Sequence, residues 1–411
     1  MDSGNFAWSI AATALVVFMT PGVAFFYGGL VKAKSVVSMM MMSFGAMGLV
    51  GVLWILYGFN MSLGGDAGAL AFSGNPLGPD GTSFALAGMD SAGLVGAAFG
   101  ATFAIITTAL ISGAIADRAK FGSWMIFAGV WSSLVYFPVS AWVWGDGWIL
   151  NWGTNTGLPG VIDYAGGTAV HINAGAAALA LALVLGKRVV FEKGAHKPHN
   201  VPLTLLGAAI LWFGWFGFNA GAEGTFGLLG PENADAGEIV INTLGATAAS
   251  ILGWLIIEKI KDGKATSVGA GSGAVAGLVA ITPACAALDP GWALLLGVIA
   301  GALCALAVEL KFKLGFDDSL DVVGIHMIGG FIGCWYLGFF AQGTGLFTGG
   351  DGGQLLSQIV ASVSVAIYSF VVALLLGFAI EKTIGFRVKS EDEVAGVDLA
   401  VHGEEGYAMA D

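Results

Sequence analysis

The sequence predicts an all-α integral membrane protein. It has eleven transmembrane helices: an inverted five-plus-five helix repeat with an extra C-terminal helix, N-terminus outside and C-terminus inside. Three observations carry this reading. Hydrophobic residues make up 56% of the 411-residue chain and charged residues only 11%, where a soluble domain carries about 25% charge. Apolar runs recur along the chain at roughly the 20-residue length needed to cross a bilayer core of about 30 Å. All 16 Lys and Arg fall in alternate connections between those runs, the distribution that cytoplasmic loops show. The 66 glycines fit closely packed membrane helices.

The first run, 6–28, follows MDSGNFAW, which has no basic n-region. It reads as a true span of a mature protein rather than a signal peptide. Lys32 and Lys34 follow it. The second run, 36–59, leads into 63–87, rich in Gly, Ser and Pro and read as an extracellular turn region. The third, 91–116, is followed by Arg118 and Lys120, and the fourth is 122–143. The fifth, 166–185, precedes Lys187, Arg188, Lys193 and Lys197, and the sixth is 201–222. The seventh, 236–257, precedes Lys259, Lys261 and Lys264, and the eighth is 267–286. The ninth, 291–308, precedes Lys311 and Lys313, and the tenth is 320–340. The eleventh, 355–380, precedes Lys382, Arg387 and Lys389. Pro21, Pro138 and Pro283 fall inside these runs, which membrane helices tolerate when neighbours satisfy the freed carbonyls. An odd number of spans per half permits an inverted repeat, spans 1–5 and 6–10. His171 behind Asp163 and His326 behind Asp321 hint at it, though at unequal spacing. The chain divides into a transmembrane domain, 1–384, and a polar, acidic cytoplasmic tail, 385–411, too short for a catalytic domain.

The formal charge of −12 sits in loops and tail, and no basic patch for nucleic acid is visible. Cys285, Cys304 and Cys334 lie in apolar runs, form no CxxC pair and read as buried thiols. Only His171 and His326 lie inside spans; His196, His199 and His402 fall in loops or tail. An ionisable group within a membrane is a functional candidate by default, and the alternative is a core histidine bonded to a carbonyl. Gly167, His171 and Gly175 share one face of span 5, and His326, Gly329, Gly330 and Gly333 cluster on span 10, so both rings are expected to point into protein. A metal site would want a third ligand at matching depth, and no HExxH-like cluster exists. Asp163 reads as the cap of span 5. Trp142, Trp144, Trp148 and Trp152 read as interface anchors, and Phe99 and Phe103, four apart, line one face of span 3. No nucleophile–base pair stands out, so an integral-membrane enzyme is not expected.

The segment DYAGGTAVHINAG from Asp163 resembles the signature of the ammonium transporter family (Amt, with Mep and Rh relatives). TPGVAFFYGGLVKAKSV, ALISGAIADRAKF, GWFGFNAG, GLVAITPAC, DVVGIHMIGG and the tail strings GFRV and GVDLAVHGEEGY extend the likeness over almost the whole chain, on the Amt branch. The resemblance implies transport of ammonium or ammonia, with methylammonium as analogue, through a multi-pass protein of the plasma membrane, without cofactor. It implies an outer site at Phe99, Trp144, Asp163 and Ala222, stacked gate rings at Phe103 and Phe218, and a paired proton relay at His171 and His326. It further implies a homotrimer with one pore per subunit. Gly385, Arg387, Asp398 and Tyr407 would belong to a tail that binds a PII-type signalling protein. Many bacterial members carry serine where this chain has Ala222, so the outer site lacks one familiar hydrogen bond, for which the adjacent Glu223 would compensate; many also carry glutamine where this chain has Gly100, which alters the fine geometry of that site. A bare cation is costly in an apolar pore, so the ion would lose its proton outside and cross as ammonia. An Rh-like gas channel and an ammonium sensor are the alternatives.

Overall fold

The computed structural model describes residues 3–63, 72–78, 81–194, 197–222 and 236–407. Eleven apolar helices cover the runs read above: α1 Ser3–Leu30, α2 Ala33–Met61, α3 Ser91–Ile115, α4 Phe121–Val143, α5 Gly167–Leu185, α6 Val201–Ala220, α7 Ala236–Asp262, α8 Ser267–Ile281, α9 Pro290–Leu314, α10 Val323–Phe340 and α11 Gly353–Thr383. Among the described residues ten are long and apolar enough to cross a membrane, and α8 is shorter, with 15 residues.

The short α8 departs from the predicted run 267–286. Pro283 has no N–H and its ring would clash one turn back, so the helix stops at Ile281 and 282–286 forms turns. Pro138 behaves differently. A π segment, Ser132–Tyr136, precedes it within α4, and Tyr368 Oη donates to the carbonyl of Leu134, the one that Pro138 cannot engage.

The packing within α1–α5 is mirrored within α6–α10. Helix α1 touches α2 and α3, α2 touches α3 and α4, and α3 touches α5; α6 touches α7 and α8, α7 touches α8 and α9, and α8 touches α10. Across the halves α1 lies along α6, the most extensive helix contact, and α5 meets α10. Helix α11 covers α5 and α10 from outside this set.

Helices α5 and α10 begin inside the protein. The chain before α5 bonds to the end of α8, Tyr164 N–H to Pro283 O and Ala165 N–H to Thr282 O; the chain before α10 bonds to the end of α3, Ser319 N–H to Ala114 O. Both helices open with a π segment, Gly167–Ile172 and Val323–Met327. Such segments are rare and gather at functional sites.

Beyond α11, two short helices, α12 Ser390–Ala395 and α13 Val397–His402, fold back under the bundle.

Candidate functional site

The π segments that open α5 and α10 carry one histidine each, and the two meet. His326 Nδ1 lies 3.2 Å from His171 Nδ1, with the rings 5.3 Å apart and 22° from parallel. Both side chains are buried. Counted from the ends of the predicted spans the two histidines fall at different depths. They meet because both helices start well inside the protein, so a position early in each lies near its middle. Small residues allow the approach: a Cβ on Gly175 would stand 2.5 Å from Met327 Cβ.

Asp163 and Asp318 hold the two helix starts. Asp163 accepts from the N–H groups of Gly166 (3.1 Å), Thr168 and Ala169 (both 3.0 Å). Asp318 Oδ2 accepts from Val323 N–H at 2.7 Å. The partner of Asp163 is therefore Asp318 rather than Asp321, and both stand eight positions before their histidine.

A row of rings leads to the histidines from the Asp163 end. Phe103 and Phe218 stack with centroids 4.2 Å apart and 27° between planes. Phe218 lies 6.1 Å from His171, and Trp215 covers the same imidazole at 5.4 Å and 18°. Trp215 was not singled out in the sequence, although its place three positions before Phe218 in GWFGFNAG puts it on the same helix face. Its Nε1 donates to Thr282 Oγ1 at 2.8 Å, which fixes the ring.

Three cavities follow one another along this line. The first, about 170 Å³, is lined by Phe103, Trp144, Asp163, Tyr164 and Ala222 among others. Trp144 stands edge-on to Phe103 at 6.1 Å and donates from Nε1 to Asp163 O at 2.9 Å. Phe99 packs against Phe103 at 5.0 Å, buried behind it, and does not itself line this cavity. The second is a small apolar space bounded by Tyr27, Leu110, Leu211, Trp215, His171 and His326. The third, about 280 Å³, opens at the other end beside Leu30, Lys311, Leu320 and Asp321. Glu223 lies outside the described residues. Among those described, no group of three His, Cys, Asp or Glu side chains is arranged to hold a metal ion.

The predicted tail residues sit against the connections that follow α1, α3 and α5. Gly385, at φ +75°, lets the chain turn back after α11, and its carbonyl accepts from Ser123 Oγ at 2.7 Å. Arg387 pairs with Glu393 at 2.6 Å and donates to Leu185 O at 2.9 Å. Asp398 accepts from Val37 N–H and Ser38 N–H, at 3.0 and 2.8 Å, and so caps α2. Tyr407 Oη is 2.7 Å from His199 Nε2. Above them Arg188 bonds to both carboxylate oxygens of Asp317, each at 2.8 Å, and to Asp117 at 3.1 Å.

The model of the Ammonium Transporter Family matches residues 7–407. An ammonium transporter of Mycobacterium tuberculosis (strain ATCC 25618 / H37Rv) is 48% identical, covering 100% of this chain and 91% of that protein. The ammonium transporter Amt1 of Archaeoglobus fulgidus is 40% identical, over 99% of this chain and 100% of its own length. Among solved structures, a sensor Amt protein superposes with a TM-score of 0.84 at 27% identity, covering 97% of this chain and 98% of that one. Candida albicans Mep2 gives 0.83 at 32%, covering 98% and 90%. The chain thus belongs to the ammonium transporter family, as a multi-pass protein of the cell membrane that transports ammonium or ammonia through an apolar helical channel with a His–His contact, and it is not an enzyme.

Proposed function

We propose that ammonium is recruited in the cavity beside Trp144 and Asp163, gives up its proton there, and crosses as ammonia past Phe103 and Phe218 to the histidine pair. The observation that carries this reading is the imidazole pair, Nδ1 to Nδ1 at 3.2 Å, lining a small space walled by apolar groups. An ion would lose its hydration in that apolar space, at a cost the surrounding carbon cannot offset. Ammonia loses far less. Two buried imidazoles so close cannot both be charged, because burial and mutual repulsion oppose it. They share one proton between facing nitrogens and titrate as a unit, which makes them a relay for the proton left behind. His171 Nε2 has no partner among the described residues and is free to receive ammonia's N–H. Potassium has no proton to lose and is refused without a size filter.

Phe99, behind Phe103, contributes to the ring cluster of the outer site, and Ala222 supplies wall rather than a hydrogen bond. The halves α1–α5 and α6–α10 form an inverted repeat, supported by their mirrored contacts, with α11 as the extra helix. All eleven helices span the membrane, with the N-terminus outside, supported by the confinement of every Lys and Arg to one set of connections. Residues 1–384 form the transport domain and 385–411 the regulatory tail. The tail's contacts with the connections after α1, α3 and α5 suit a segment that reports to the pore and binds a PII-type protein. Three copies assemble, each with its own pore.

Uptake of labelled methylammonium by proteoliposomes tests the central reading. Saturable uptake, competed by ammonium and indifferent to potassium, is expected. Binding without uptake would favour an ammonium sensor, and passage of carbon dioxide alongside ammonia would favour an Rh-like gas channel.

A further inference from the structure

The two mouths of the conduit are the same construction in opposite halves, with one substitution of kind. Each has a helix-start carboxylate, Asp163 or Asp318, and three positions later a residue at positive φ, Gly166 at +113° and Asp321 at +64°. Each receives a side chain from the end of the preceding long helix onto the main-chain oxygen of that aspartate. At one mouth Trp144 Nε1 donates to Asp163 O at 2.9 Å; at the other Lys311 Nζ donates to Asp318 O at 2.7 Å. An aromatic ring, which attracts a cation, thus stands opposite a residue that is itself a cation.

We propose that Lys311 is a tethered cation that denies the Asp318 mouth to free ammonium, so that the conduit loads preferentially from the Trp144 mouth. Lys311 is buried at 8% exposure and held on three sides. Besides Asp318 O, its Nζ lies 2.6 Å from Asp321 Oδ1 and 5.4 Å from the ring centroid of Phe312. A carbonyl, a carboxylate and an aromatic face are what an ammonium ion would seek at this mouth, and the side chain already uses all three. Glu309, which lines the same 280 Å³ cavity, is taken by Lys193 at 2.7 Å and Lys261 at 2.5 Å. With these groups engaged by Lys311, a second cation finds no uncompensated Asp321 carboxylate to hold it, which lowers its occupancy by roughly tenfold. Ammonia, being neutral, passes without that penalty and takes up its proton in the water beyond. Lys311 therefore sets which mouth binds the ion, without touching the histidine relay.

This inference rests on the transport reading. The test uses proteoliposomes with the protein in one known orientation and an ammonium concentration jump applied to either face, recording half-saturating concentrations. In the wild type the Lys311 face should need about tenfold more ammonium than the Trp144 face. Lys311→Gln, which leaves Asp321 uncompensated, should bring the two within about twofold. Lys311→Arg should keep the asymmetry, and Lys311→Gln with Asp321→Asn should restore it, because the exposed carboxylate is gone. Should Lys311→Gln fail to fold, the wild-type asymmetry and the double variant decide. A merely structural lysine would leave the single and double variants alike. Equal half-saturation on both wild-type faces, or unchanged asymmetry in Lys311→Gln, overturns the inference; a wild type that moves no methylammonium from either face overturns the transport reading instead.

Discussion

Asp317 and Asp318 are neighbours in sequence and opposites in surroundings. Burial pushes the Asp317 carboxyl up, but the hydrogen bonds and charge of Arg188, with Arg118 behind, outweigh it and hold it below the ordinary 3.8. Burial pushes Asp318 up to about 6 despite the pull of Lys311. The signs follow from linkage. Asp317 adds stability above its ordinary pKa, and that contribution fades as pH falls through its lowered value. Asp318 favours the fold below pH 3.8, and that contribution is lost as pH rises through about 6. Asp318→Asn should therefore raise the melting temperature in detergent at pH 8 and leave it unchanged at pH 4. Asp317→Asn should lower it at pH 8, since breaking a buried pair costs about 3–5 kcal/mol, with the difference shrinking below pH 4. At the conduit, His171→Ala or His326→Ala should abolish proton-coupled current or widen the substrate range while the protein still inserts. An acidic residue at one position should partly rescue, because a carboxyl can also share a proton. Wild-type current and selectivity in both alanine variants would count against the relay. Phe103→Ala should admit potassium or slow uptake, measured as current under a potassium gradient.

At the scale of elements, the site depends on two helices that start late and meet closely. Gly175→Ala would set a methyl 2.5 Å from Met327 Cβ and 2.6 Å from Met327 N. Overpacking of this kind costs about 1–3 kcal/mol and would part the imidazoles. Uptake should fall at least about tenfold while surface expression persists; normal uptake would show that the pair tolerates separation. Much of this was legible beforehand. Length and apolarity marked the runs, and glycine spacing marked the faces on which the histidines lie. The histidine contact was not, because depth counted from span ends assumes that helices begin at the surface, and α5 and α10 begin within the protein. By sequence position alone Asp321, the acid closest before His326, matches Asp163. Its backbone at φ +64° turns it to Lys311 instead, leaving Asp318 to cap the helix. The end of α8 was missed because a proline inside an apolar run reads equally as a kink or a stop.

For the whole molecule, sidedness and the tail are open to direct measurement. Reporter fusions after Lys34 and after Gly145 should report opposite faces, since Lys34 follows α1 and Gly145 follows α4; a common face would refute the span assignment. Deleting residues after Ile384 removes the Arg387–Glu393 pair and the Asp398 cap of α2. It should change transport or abolish capture of a PII-type protein, and a deletion that changes neither would remove the tail's regulatory role. The pairing of α1 with α6 and of α5 with α10 also has a consequence for how the protein is made. When the ribosome has released α5, its histidine and its closest glycines have no surface to meet, and that surface emerges some 150 residues later. At about 5–20 residues per second the first half waits roughly 7–30 seconds in the bilayer with a polar group facing lipid or a provisional neighbour. A gene cut between Asn200 and Val201 should thus yield two fragments that are each degraded when made alone and that accumulate when made together.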